Sequence, residues 1–102
     1  MKLEHLVTKD QKLAGLQFRE SLDEDTVLVF WDVEKGDNFA TQNCKFPFDI
    51  AFLGKRNEIL NIKTLDPVKN EVAYAPKDTV LALEAGKGIL GSYKNSKRFY
   101  LK

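Results

Sequence analysis

The chain is built from short runs of β-branched and aromatic residues that turn-forming residues separate about every eight to twelve residues. Thr26–Trp31 is such a run: it is too short for a helix, and acidic turns lie on both sides. About seven strands of this kind, without regular alternation with helices, predict a mainly β fold. We therefore expect a compact antiparallel β-barrel or sandwich with one or two short flanking helices.

The most apolar stretch, Asn38–Leu53, is interpreted as two strands joined at Phe46-Pro47 and placed in the middle of a sheet. Pro47 has no N–H to donate to a ladder, so it fits a corner better than the middle of a strand. Asn43 and Asp49 are the polar residues inside this otherwise apolar stretch, and polar groups in a core need bonding partners.

Two helices are predicted beside the strands. Thr8 and Gln11 have the spacing of a capping box, which predicts a helix over Lys9–Gln17 that Gly15 weakens. A second, short helix is expected over Lys87–Lys94. The remaining strands are predicted at Leu3–Val7, Glu58–Leu65, Val72–Ala75, Thr79–Glu84 and Lys97–Leu101.

Composition limits the function classes. The 102 residues are expected to form one domain, and 16 Lys and Arg against 15 Asp and Glu give a net charge of +1. A net charge this close to zero does not favour nucleic acid or an anionic membrane surface as a partner. Cys44 is the one cysteine, so an internal disulfide is impossible, and no long apolar run predicts a membrane span. We expect a cytoplasmic protein without a membrane partner.

Three stretches carry a resemblance to a known family. Gly15–Asp25 resembles the segment Gly-Leu-Met-Phe-Arg-Glu-Ser-Leu-Pro-Glu-Asp of the domain of unknown function 192 family. Phe39–Leu53 is similar to its Phe-Trp-Met-Lys-Asn-Thr-Leu-Ile-Pro-Leu-Asp-Ile-Ala-Phe-Leu. Tyr74–Pro76 followed by Val80–Gly86 looks like its Tyr-x-Pro and Val-Leu-Glu-Leu-Pro-Ala-Gly. The resemblance implies a compact, mainly antiparallel β-domain with a flanking helix, and it implies no activity.

The chain departs from this family pattern mainly at Ala40-Thr-Gln42, where the family has Trp-Met-Lys. If that segment normally serves a ligand, this chain binds something else or has lost the role. Asn43, Pro47 and Asp49 match the pattern.

The candidate ligand-binding residues are Arg19, Gln42, Asn43 and Asp49. Asn43 and Asp49 either orient a small ligand at the mouth of a barrel or bind backbone amides where strand pairing stops. We favour the second interpretation. Arg19 either binds a ligand carboxylate or pairs with Asp49 and fixes the helix onto the sheet, and here too we favour the structural role.

No catalytic residue, metal ligand or cofactor is assigned. His5 and Cys44 are the only imidazole and thiol, and their spacing is not that of a metal site or a nucleophile dyad. The glycines of the segment 86–91 fit neither the P-loop nor the dinucleotide pattern. Tyr93–Lys102 mixes basic and aromatic residues, as single-strand binding surfaces do, but Lys residues also protect edge strands.

Three functions therefore stay open after the sequence alone. The leading hypothesis is a small non-catalytic domain that binds an unidentified small molecule or protein. A hydrolase or transferase that uses Asp49 with Arg19 is the first alternative, and binding of single-stranded nucleic acid through the C-terminal segment is the second.

Overall fold

Two β-sheets form the framework of residues 1–99, the part of the chain that the computed structural model describes. In chain order the elements are β1 (Lys2–Leu6), α1 (Lys9–Ala14), β2 (Thr26–Phe30), β3 (Asn38–Ala40), β4 (Phe48–Leu53), β5 (Ile59–Leu65), β6 (Val72–Tyr74) and β7 (Leu81–Gly86). Turns of 3-10 helix occur at Pro67–Lys69 and Gly91–Tyr93. The prediction of a mainly β fold with short flanking helices is confirmed.

The larger sheet has the strand order β1-β2-β7-β4-β5, and β3 pairs with β6 in a second, two-stranded sheet. All pairs are antiparallel except β1 with β2, which run parallel. The larger sheet does not close, since β1 and β5 remain its edges within the described residues. The arrangement is therefore an open sandwich-like fold and not a closed barrel.

Both faces of the larger sheet are covered, which explains why its central strands read as continuous apolar runs. Every residue of β2 and β4 is buried. One core contains Leu28, Phe30, Ile50 and Phe52, and it packs against residues of β3, β6 and the turn after α1. We call this side of the sheet the cleft face. A second core, around Val29 and the segment that follows β7, covers the opposite face.

The capping box predicted for α1 is present. The Thr8 side chain accepts a hydrogen bond from Gln11 N at 3.1 Å, and Gln11 Oε1 accepts one from Thr8 N at 3.0 Å. The helix ends at Ala14 and not at Gln17, because Gly15 adopts a φ of +44° and its N–H closes the last turn on Gln11 O. This early end frees residues 15–18 for a turn beside the sheet.

The interpretation of Asn38–Leu53 as one strand pair is wrong in its first half. β4 lies inside the larger sheet between β7 and β5, as expected for so apolar a strand. β3 is only three residues long and pairs with the distant β6. Residues 41–47 form a connecting loop, and Thr41 N bonds Glu71 O, which anchors this loop to the segment before β6.

The last third of the chain also differs in detail. β7 continues to Gly86, past the predicted end at Glu84, and the helix expected over Lys87–Lys94 is a single 3-10 turn. Of the strand predicted at 97–101, Arg98 forms an isolated bridge with Glu58, and residues 100 and 101 lie outside the described part. No helix within residues 1–99 combines the length and apolar character needed to span a bilayer.

Candidate functional site

A cleft of about 550 Å³ opens between α1, β3 and the cleft face of the larger sheet. It is lined by α1 and the turn after it, by residues 36–40, by Gln42 and Cys44, and by Phe30, Val33 and Glu84 of the sheet side. We call it the β3 cleft. Its volume lies in the range of small-molecule sites, and its lining combines apolar walls with a few polar groups, as such sites do.

The sheet register places Glu84 at the floor of the β3 cleft. In the ladder Glu84 stands opposite Leu28 of β2 on one side and Ile50 of β4 on the other. Directly paired side chains share a face of the sheet, so the Glu84 carboxyl lies on the cleft face between two large apolar neighbours. Only 4% of Glu84 is exposed. A carboxyl group therefore sits in the middle of an apolar layer.

The Glu84 carboxyl has no hydrogen-bond donor among the described residues; burial and the charge of Arg19 are the influences on it. Within residues 1–99 no fully enclosed side-chain oxygen or nitrogen lacks a partner. The Glu84 oxygens consequently open into the cleft. Burial raises the pKa of Glu84 from 4.5 to about 8, although the positive charge of Arg19 acts in the other direction. At neutral pH this carboxyl group is mostly protonated.

Arg19 lies close to Glu84 but is committed to another carboxylate. Its Nη1 and Nη2 donate to the two oxygens of Glu4, at 3.2 and 2.5 Å, and its Nε donates to Gly15 O at 3.0 Å. These side-chain hydrogen bonds lower the pKa of Glu4 and raise that of Arg19. Three of the five N–H groups of Arg19 are used in this way, and Arg19 acts on Glu84 through its charge and not through a hydrogen bond.

Cys44 lines the β3 cleft as a half-buried thiol. Burial, followed by the negative charge of Glu84, raises the pKa of this thiol to about 11. Since the thiolate is the nucleophilic form, Cys44 is a weak nucleophile at neutral pH. Lys12, another lining residue, donates from Nζ to Trp31 O at 3.0 Å and so ties α1 to the end of β2.

Asp49 lies on the opposite face of the sheet, because it alternates with Ile50 along β4. It is fully buried. Its Oδ2 accepts from Gly88 N at 3.0 Å and from Gly91 N at 2.8 Å, and its Oδ1 accepts from Thr64 Oγ1 at 2.6 Å. Asp49 therefore holds the loop after β7 against the sheet, through backbone amides of that loop and not of the Phe46-Pro47 corner.

The structure does not bring the four predicted site residues together. Gln42 lines the β3 cleft, and the side chain of Asn43 donates to Gln17 Oε1 at 3.1 Å at its edge. Asn43 itself takes a φ of +61°, which Asn tolerates better than most residues. The predicted pair of Arg19 with Asp49 is wrong, because the two side chains lie on opposite faces of one sheet and each has other partners.

Glu84 is the residue of the cleft that the sequence patterns do not indicate. The predicted strand ends at Glu84, and a charged residue is ordinary at a strand end, whereas β7 continues for two more residues. A signal was present in the family segment Val-Leu-Glu-Leu-Pro-Ala-Gly, which has an uncharged Pro where this chain has Glu84. The chain also has Ala82 where that segment has Glu, and the other five positions match.

Two other kinds of site find little support among residues 1–99. No three His, Cys, Asp or Glu side chains in this range come together as a metal site would require. In the C-terminal segment, Phe99 is buried in the second core and Tyr93 packs edge-on against it at 4.8 Å between ring centroids. These two rings are engaged in packing; residues 100–102 lie outside the described part.

The family comparison covers nearly the whole chain. Residues 1–94 match the family DUF192 (domain of unknown function 192), described as Uncharacterized ACR. The chain belongs to the DUF192 family. The resemblance inferred from the three sequence stretches is thereby confirmed.

Two solved structures share the fold of this DUF192 member. A protein of unknown function from Novosphingobium aromaticivorans DSM 12444 has a TM-score of 0.80 at 24% identity, over 94% of this chain and 69% of that one. A protein described as a "putative transcription regulator" from Sinorhizobium meliloti 1021 has a TM-score of 0.77 at 21% identity, over 88% of this chain and 71% of that one. No curated protein matches the sequence. At these identities the two structures show the fold alone.

Proposed function

We propose that this chain is a small non-catalytic binding domain and that its ligand is a small molecule that occupies the β3 cleft. The observation that carries the proposal is the buried Glu84 carboxyl, which opens into the cleft without a donor from residues 1–99. Burying such a group costs free energy unless a partner compensates it. An apolar residue between Leu28 and Ile50 would serve the core better, so a bound ligand is the reason we give for the carboxyl group.

The non-catalytic part of the proposal is supported by what surrounds Glu84. The nearby thiol of Cys44 has a pKa near 11, so it is a poor nucleophile. The pair that the sequence suggested for a hydrolase or transferase, Asp49 and Arg19, is divided between the two faces of the sheet. One titratable carboxyl beside an unreactive thiol favours recognition of a ligand over its chemical conversion.

A fragment screen by ¹H–¹⁵N NMR tests the site. We expect hits to shift the amide signals of Gly15, Gln42 and Cys44, which line the cleft, and to leave Gly91, bound to Asp49 on the opposite face, unchanged. Glu84→Leu should abolish binding of polar fragments and also raise the free energy of unfolding, since it removes a buried unpaired carboxyl. Hits that cluster away from the cleft, or binding that is unaffected by Glu84→Leu, would contradict the proposal.

We also propose that the domain acts in the cytoplasm. The sequence supports this with a single cysteine, Cys44, which excludes an internal disulfide of the kind that exported small domains use. Fractionation of cells that express the tagged full-length protein tests the location. Recovery of the protein from an exported fraction would overturn it.

A further inference from the structure

The chemistry around Glu84 indicates what the ligand of the β3 cleft must offer. We propose that the ligand carries a cationic nitrogen group, such as an ammonium, amidinium or guanidinium, which is held against Glu84 beside the rings of Phe30 and Phe39. This inference rests on the proposed function, because it assigns a ligand class to the same cleft.

The carboxyl group of Glu84 has unfilled hydrogen-bonding capacity. Its oxygens can accept several hydrogen bonds, and none comes from residues 1–99. Arg19 is the charge that acts on it, but three of the five N–H groups of Arg19 are bound to Glu4 and to the Gly15 carbonyl. A cationic ligand that enters the cleft would supply both the missing donors and the missing charge.

Two aromatic rings form one wall of the β3 cleft. Phe30 and Phe39 both line the β3 cleft, and their rings meet edge to face with centroids 5.2 Å apart. Phenylalanine rings attract cations electrostatically, and the attraction grows where water is excluded. A buried carboxyl beside two aromatic rings thus favours a cation over a neutral group of the same shape.

Other ligand charges fit the cleft floor less well. An anionic group at the floor would have to lie against a carboxyl, which is tolerable only while Glu84 keeps its proton. The lysines of the cleft, Lys9 and Lys12, belong to α1, and Lys12 is bonded to Trp31 O. They favour a polar or anionic group on the part of the ligand that lies beside α1, with the cationic group directed toward Glu84.

Cation binding should be coupled to the proton on Glu84. The titratable and charged groups that surround it are Lys9 and Lys12 of α1, Arg19 with Glu4 of β1, Asp37 before β3, and Cys44 after β3. A cation binds the ionised form of Glu84, so its apparent affinity scales with the ionised fraction. With a pKa of about 8, that fraction rises about 25-fold from pH ~6.5 to pH ~8.5.

Three planar probes of nearly equal shape test which ligand charge the β3 cleft prefers: benzamidine is a cation, benzamide is neutral and benzoate is an anion. Each is titrated into the ¹⁵N-labelled full-length protein at pH ~6.5 and pH ~8.5. We expect benzamidine to bind tightest and to shift the amides of Gly15, Gln42 and Cys44, with an affinity that rises about 25-fold with pH. Benzoate should bind more weakly as the pH rises.

Matched variants complete the experiment. Glu84→Gln keeps the shape and removes the charge, so benzamidine should bind weakly and without pH dependence. Glu24→Gln changes an exposed glutamate that does not line the cleft and should behave as the unchanged protein. The pH series on the unchanged protein remains decisive even if Glu84→Gln folds poorly.

The two failures are distinguishable. Benzamide or benzoate binding in the β3 cleft as tightly as benzamidine would overturn the cationic ligand class and leave the cleft as the binding site. If none of the three probes shifts the cleft amides at either pH, the ligand class is overturned as well. The fragment screen then decides separately whether the cleft binds small molecules at all.

Discussion

Glu84 should make the stability of this protein fall as the pH rises through neutrality. Its pKa is about 8 in the folded state, against 4.5 for an ordinary glutamate. At a pH between these two pKa values, Glu84 holds a proton in the folded state but not in the unfolded state, so unfolding becomes easier as the pH rises. The slope is about 1.4 kcal/mol per pH unit, or about 5 kcal/mol over the whole window. The loss is complete once the pH exceeds the folded-state pKa.

The assay is urea denaturation of the unchanged protein and of Glu84→Gln across this window, with Glu24→Gln as a control for changing an exposed glutamate. From pH ~5.5 to pH ~8 the unchanged protein should lose about 3 kcal/mol relative to Glu84→Gln. Glu4, Asp25 and Glu58 have lowered pKa values, so their contributions are lost only as the pH falls below about 4.5 and do not enter the window. Parallel curves for the unchanged protein and Glu84→Gln would show that folding does not raise the pKa of Glu84.

Two further predictions concern the other polar groups of the core and cleft. Asp49→Ala leaves two partly buried loop amides and a threonine hydroxyl without their charged acceptor, and it should lower the free energy of unfolding by about 3 kcal/mol; an unchanged urea midpoint would contradict this. Cys44, with a pKa of about 11, should react with iodoacetamide at pH ~8 about 100-fold more slowly than free cysteine; an equal rate would show that its thiol is not held protonated.

Local chemistry accounts for the parts of the fold that could be predicted from the sequence. The capping box at Thr8 and the β-branched run at Thr26 depend on neighbours within a few residues, so the pattern alone determines them. The partner of β3 could not be predicted in this way. β6 follows it by more than thirty residues, and only the folded arrangement decides that these two short segments pair.

The candidate site could be predicted only in part, for a related reason. Strand alternation says that Asp49 and Ile50 point to opposite faces, but both faces of β4 are buried, so the pattern does not say which face α1 covers. The predicted pair of Asp49 with Arg19 needs both side chains on one face of the sheet, whereas Arg19 lies across the sheet from Asp49. The position of Glu84 inside the sheet depends on where β7 ends, and sequence patterns mark the ends of strands poorly.

The binding role proposed for the β3 cleft depends on Glu84, a buried carboxyl group at its floor that has no donor from residues 1–99 and holds its proton at neutral pH. The most direct measurement is a pH titration of the Glu84 carboxyl carbon by ¹³C NMR, without and with benzamidine. We expect a pKa of about 8 in the free protein and a clear decrease when benzamidine is present. An ordinary pKa near 4.5 that benzamidine leaves unchanged would contradict it.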